Sequence, residues 1–201
     1  LIVLLFLGCE SKEDTSTYNP TIIPSTNKGN LSMGENYIPP FIPNQKENDK
    51  TLHGIDSNFN GVRDDVERYI YERFNENIDK NYKVHREIAM QWARVAEQLI
   101  TNPETAYEDG KYELAGRTNA CLFYYYDEYF KANNIKGFEN KEPYRQKNDI
   151  LDSALKDIAF NTKDRLKAYF RYNESLSGHV YDSYPDSKEA CDFDVDSIIV
   201  F

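Results

Sequence analysis

Histidine, cysteine and tryptophan are scarce in this chain: three, three and one among 201 residues. The histidines, His53, His85 and His179, stand apart, without the spacing by which a HExxH helix holds zinc. The GxSxG elbow, the Walker A loop and the Rossmann glycine pattern are missing as well. Positive charge is also in short supply. The 24 Lys and Arg face 34 Asp and Glu, a formal net charge of −10. That excludes nucleic acid as an expected partner, because a phosphate backbone is held by clustered basic side chains. Beyond residue 8 no apolar run approaches the ~20 residues of a membrane span.

What is present begins at the first residue. Leu1, Ile2, Val3, Leu4, Leu5, Phe6, Leu7 and Gly8 run unbroken into Cys9, and Glu10, Ser11, Lys12, Glu13 and Asp14 follow at once. A buried strand or helix segment is the alternative, but such a charged stop is an odd edge for a core element. An apolar run ending in a small residue and a cysteine resembles the lipobox of bacterial lipoproteins, with Phe6 three places before Cys9. The resemblance implies that residues 1–8 are a signal peptide lacking its start. It also implies that Cys9 carries lipid and ties the protein to the membrane of a bacterial cell envelope. Glu10 rather than Asp after the cysteine implies the outer membrane, on its periplasmic face or at the cell surface.

Residues 9–50, rich in Pro, Ser, Thr, Asn and charge, read as a flexible tether. Its end, where Pro39, Pro40 and Pro43 are interspersed with Tyr37, Ile38, Phe41 and Ile42, is expected to lie extended along the domain. With Cys9 acylated, Cys121 and Cys191 are left. In an oxidising compartment the pair suggests a disulfide closing a loop of about 70 residues, worth roughly 4 kcal/mol in the chain-entropy model. Two separate buried thiols are the alternative.

Twelve residues from Asp56 to Glu67 carry the densest pattern. A short loop wrapping Ca²⁺ supplies oxygens from positions 1, 3, 5, 7, 9 and 12. Those positions are Asp56, Asn58, Asn60, the carbonyl of Val62, Asp64 (through a water) and Glu67, with Gly61 at the sharp turn of position 6. The stretch resembles the calcium loop of EF-hands, and more closely the solitary loop-plus-helix forms of dockerins and EF-hand-like lipoproteins. It departs from them at position 8, where Arg63 replaces the aliphatic residue that pairs two loops. The proline-rich segment before Asp56 makes a poor entering helix. One unpaired loop followed by one helix is therefore expected. No second copy occurs, so no cohesin partner of the dockerin type is expected. The alternative reading is an Asx-rich turn that caps the helix. With Asn58 and Asn60 neutral, the expected affinity is weak, in the ~10⁻⁴ to 10⁻³ M class of extracellular modules.

From Asp64 onward the apolar periodicity is helical. Val66, Ile70, Phe74 and Ile78 form one stripe, and Val84, Ile88, Trp92, Val95 and Leu99 another, flanked by Ala89, Ala93 and Ala96. Asn102 and Pro103 open a third helical region, which Gly110 interrupts and which resumes through Ala115, Leu122, Tyr126 and Tyr129. Ile150, Leu151, Ala154, Leu155 and Ile158 mark a fourth helix. Asn161 or Thr162 caps a fifth carrying Leu166, Tyr169, Phe170 and Asn173. Cys191 is placed to pin the irregular tail to the third of these, with Ile198, Ile199, Val200 and Phe201 docking on the bundle.

The fold class expected is all-α: an irregular bundle of about five helices over residues 51–201, with one EF-hand-like calcium loop before the first. The successive tyrosines Tyr124, Tyr125 and Tyr126 could offer a stacking platform, but on a helix they face three directions and suit core packing better. These features favour a non-enzymatic envelope protein that binds a protein or a surface polymer, with Ca²⁺ as a structural ion. The alternative is an envelope hydrolase acting on peptidoglycan or glycan.

Overall fold

The computed structural model describes residues 37–199, apart from 79 and 181. The lipobox with Cys9, most of the tether, and Val200 and Phe201 lie outside the described residues, as do the side chains of Ile150 and Leu151. The described chain is all-helical. Its six α-helices are α1 (Gln45–Asn48), α2 (Asp64–Arg73), α3 (Tyr82–Leu99), α4 (Lys111–Ala132), α5 (Phe138–Ala159) and α6 (Lys163–Ser175). Three single 3₁₀ turns sit at Pro103–Thr105, Lys188–Ala190 and Val195–Ser197. The count exceeds the expected five because Asn44 caps one extra turn, accepting from Glu47 N–H, ahead of the loop.

The central element is α3, which touches α2, α4, α5 and α6. Its apolar residues recur at helical spacing on nearly every side, so each neighbour finds a patch to cover. Val66, Ile70 and Phe74 of the α2 region pack on Ala89, Met90 and Ala93, where alanines let the helices approach. Further along, Ala96 and Ile100 meet Phe160 and Ala168, and Val95 and Leu99 meet Tyr172. Val84 and Ile88 join Tyr125, Tyr126 and Phe130 of α4. The tyrosine run is therefore core, with Tyr124 half-buried and bonded to Asp196. A disulfide joins Cys121 of α4 to Cys191, 70 residues on, and fastens the tail.

Two stripes depart from expectation. Helix α2 ends at Arg73, so Ile78 falls in a turn and is 58% exposed. In α6 the buried face is Arg165, Ala168 and Tyr172, which leaves Leu166 and Phe170 outside. The cause is Arg165, which is fully buried and donates to the carbonyls of Asn48, Thr51 and Leu52 and to Asp49. Burial and the nearby Arg63 guanidinium pull its pKa down, while Asp49, Asp65 and Glu97 oppose them. The tail docks through Phe193 and Val195, both buried, more than through the half-buried Ile198 and Ile199.

Gly54 sits at φ +57 where Arg63, Asn48 and Arg165 converge. A Cβ there would collide with Arg63 Cδ and lie 2.5 Å from Asn48 Oδ1 and 2.8 Å from Arg165 Nη2. Gly110, at φ +68, has open space around it. Gly54→Ala is therefore expected to cost about 3 kcal/mol, combining positive φ with overpacking, against about 1 kcal/mol for Gly110→Ala. Denaturant midpoints measure both; equal losses would show that the arginine crossing does not constrain residue 54.

Candidate metal centre

The loop is closed at its base by two bonds. Asp64 N–H donates to the Ile55 carbonyl at 2.8 Å, and Ser57 N–H donates to Asp64 Oδ1 at 2.9 Å. Inside it, Asp56 accepts from Asn60 N–H at 3.2 Å and from Gly61 N–H at 2.9 Å. Asn58 Oδ1 accepts from Asn60 N–H, and Asn60 Oδ1 from Val62 N–H. Gly61 takes φ +82, the conformation that position 6 requires and that glycine adopts without strain. Val62 buries its side chain in the core, and Arg63 behind it is wholly enclosed.

Glu67, one turn into α2, is fully buried, and its carboxylate reaches back over the loop. Asn58 Nδ2 donates to both of its oxygens at 3.1 and 3.2 Å, and Asn60 Nδ2 to one at 2.9 Å. Positions 3, 5 and 12 of the expected ligand set are thus drawn together. Asp56 and Asp64 stand near enough for the Asp64 charge to raise the Asp56 pKa, although burial is the larger cause and the Gly61, Asn60 and Phe59 N–H groups oppose it.

Burial pushes the Glu67 carboxyl up to about 7, with Arg94 drawing it back. That arginine is already committed to Asp192, at 2.7 Å. Two neutral amides and one shared guanidinium are a thin counterweight for a carboxylate at the bottom of a loop. A divalent cation bound there would supply the missing charge. Nδ2 of both asparagines faces Glu67, while Oδ1, the atom a hard ion prefers, accepts from the N–H of Asn60 or Val62 and would be shared with or drawn away from it by an ion.

Among the described residues, no group of three or more His, Cys, Asp and Glu side chains is placed to hold a metal. Two of the five side-chain donors are asparagines, and Asp56 and Asp64 each turn oxygens to backbone N–H groups. These Asx turns also satisfy the alternative reading of the loop as a capping device. His53 faces α3, with Nδ1 3.4 Å from Glu97 and Nε2 3.3 Å from Thr101.

A separate open groove of about 1010 Å³ lies where α4, the end of α6 and the segment around Tyr184 meet. Tyr112, Phe123 and Tyr184 line it together with Glu113, Asp182 and Asp186. Sequence reasoning missed it because its acids, Glu113 against Asp182 and Asp186, come from segments far apart in the chain. Comparison with protein-family models, with curated proteins and with solved structures yields no match.

Glu67→Gln removes the buried charge but keeps the shape and accepts the same amide bonds on one oxygen. In calcium-free buffer the variant is expected to melt no lower than the parent. Added calcium, which raises the parent's melting temperature, is expected to leave the variant's unmoved. A calcium-dependent rise that survives in the variant would exclude Glu67 as a ligand.

Proposed function

We propose that the protein is a calcium-binding envelope lipoprotein, anchored through Cys9 in the outer membrane, whose helical domain is fastened by one Ca²⁺ at the loop. Asp56, Asn58, Asn60, the Val62 carbonyl, Asp64 and Glu67 hold the ion. The observation that carries the reading is Glu67: a buried carboxylate faced by two asparagine side chains from the positions a calcium loop uses. The disulfide supports an oxidising compartment. No helix of the described residues is long and apolar enough to cross a membrane.

On this reading the domain binds a protein or surface polymer and performs no chemistry of its own. A second reading, an envelope hydrolase, draws support from the groove that sets Glu113, Asp182 and Asp186 among aromatic rings.

At tenfold saturation the ion contributes about 1.4 kcal/mol, a rise in melting temperature of about 4 °C for a domain of this size. Calorimetry with calcium against chelator reads it directly, and superimposable curves would defeat the calcium assignment. Fatty-acid labelling of cells is expected to tag the parent and not Cys9→Ser; an unlabelled parent, or label that survives the substitution, would defeat the anchor.

A further inference from the structure

The exposed apolar side chains next to the loop serve no purpose in the fold. Phe59, at position 4 of the loop, is 89% exposed, and its backbone holds φ +58, a conformation that glycine adopts freely and a phenylalanine does not. The strap that leads into the domain carries three more: Ile38 at 86%, Phe41 at 92% and Ile42 at 71%. Strap and loop adjoin, since Asn58 Nδ2 lies 3.4 Å from Tyr37 Oη. The strap is also pinned from behind. Arg68 of α2 donates to the Pro40 carbonyl at 2.6 and 2.8 Å and to that of Pro39 at 3.4 Å, and Tyr37 packs on Tyr71. Its apolar side chains are therefore held outward.

We propose that the face bearing Ile38, Phe41, Ile42 and Phe59 seats itself in the headgroup–acyl boundary of a bilayer of zwitterionic lipid. The strap is suited to that medium. Residues 37–43 contain no charged side chain, and Pro39, Pro40 and Pro43 have no N–H to strip of water. Arg68 already satisfies the carbonyls of Pro39 and Pro40. With a net charge of −10 on the chain, attraction to anionic lipid does not drive the contact; apolar burial does.

The strap is also the part of the described domain nearest in sequence to Cys9, so an anchor there would place it toward the membrane. That orientation rests on the anchor proposed at Cys9, but the affinity of the face for lipid does not. The face would then add a second hold on the bilayer to that of the acyl chains.

The chain from residue 9 onward carrying Cys9→Ser, and so without acyl groups or the apolar run of residues 1–8, separates the two claims. It is expected to co-sediment with phosphatidylcholine vesicles in calcium buffer to the same extent at low and high salt. Adding Phe59→Gly, or Phe41→Ser with Ile42→Ser, is expected to weaken partitioning about tenfold each. Phe59→Gly relieves the positive φ, so it should keep or raise the melting temperature and retain any calcium response, which removes misfolding as an explanation. No co-sedimentation, or partitioning unchanged by these variants, would overturn the proposal. So would concentration-dependent self-association abolished by Phe41→Ser with Ile42→Ser, which would assign the face to a second copy of the chain. Failure of the anchor reading shows elsewhere, in the fatty-acid labelling of Cys9.

Discussion

The guanidinium of Arg63 ties the loop to the rest of the molecule. It is wholly buried, and it donates to the carbonyls of Ile158 at 2.7 Å and Ala159 at 3.0 Å, the last turn of α5. Asp65 at 2.6 Å and Glu97 at 3.5 Å balance its charge. The last carbonyls of a helix lack intrahelical donors and carry the negative end of its dipole, so a cation there satisfies both needs. Removing the arginine would leave two carboxylates and two carbonyls in a dry pocket, a loss larger than the contact itself is worth. Arg165 repeats the arrangement one step earlier in the chain, on the carbonyls of residues 48, 51 and 52. Between them the two arginines brace both flanks of the loop, and Gly54 lies where they meet.

The same device recurs through the bundle. Arg86 of α3 donates to the carbonyls of Phe74 and Tyr71 at the end of α2 and lies 4.0 Å over the Tyr71 ring. Arg94, whose charge acts on Glu67, holds Asp192 next to the disulfide. Gln91 clasps the same segment, donating to Ala190 and accepting from the Asp192 N–H. The loop, α3 and the tail are thus joined by polar contacts as well as by the shared apolar core. Such contacts are directional, and they set the register in which rather ordinary amphipathic helices pack.

Much of this was legible in the chain. Asn58, Asn60 and Glu67 come together because their spacing brings them round one point, and the Cys121–Cys191 pair was readable as the two cysteines left by the lipobox reading of Cys9. The stripes of α2 and α3 were readable because local periodicity decides them. The α6 face was not. Arg165 is buried only because carbonyls more than a hundred residues away receive it, and no window of sequence contains those carbonyls. Arg63 was visible as a departure from the paired-loop pattern, but its role as a clamp depends on the end of α5. The groove beside α4 likewise joins residues far apart in the chain, from Tyr112 to Asp186.

Arg63 also decides what kind of device the loop can be. A sensor needs two arrangements of comparable free energy between which the ion discriminates. Position 8 of a paired loop joins a neighbouring loop, and movement of the pair can pass outward to the helices. Here that position is anchored in the core against a helix end, and Glu67 stands in a helix packed on α3. For the loop to open, Arg63 would have to leave its carbonyls and carboxylates together, which is the expensive step identified above. An ion held by these residues therefore has no second state to select. Its binding energy would go into the one arrangement the arginines already impose, stabilising α2 against α3.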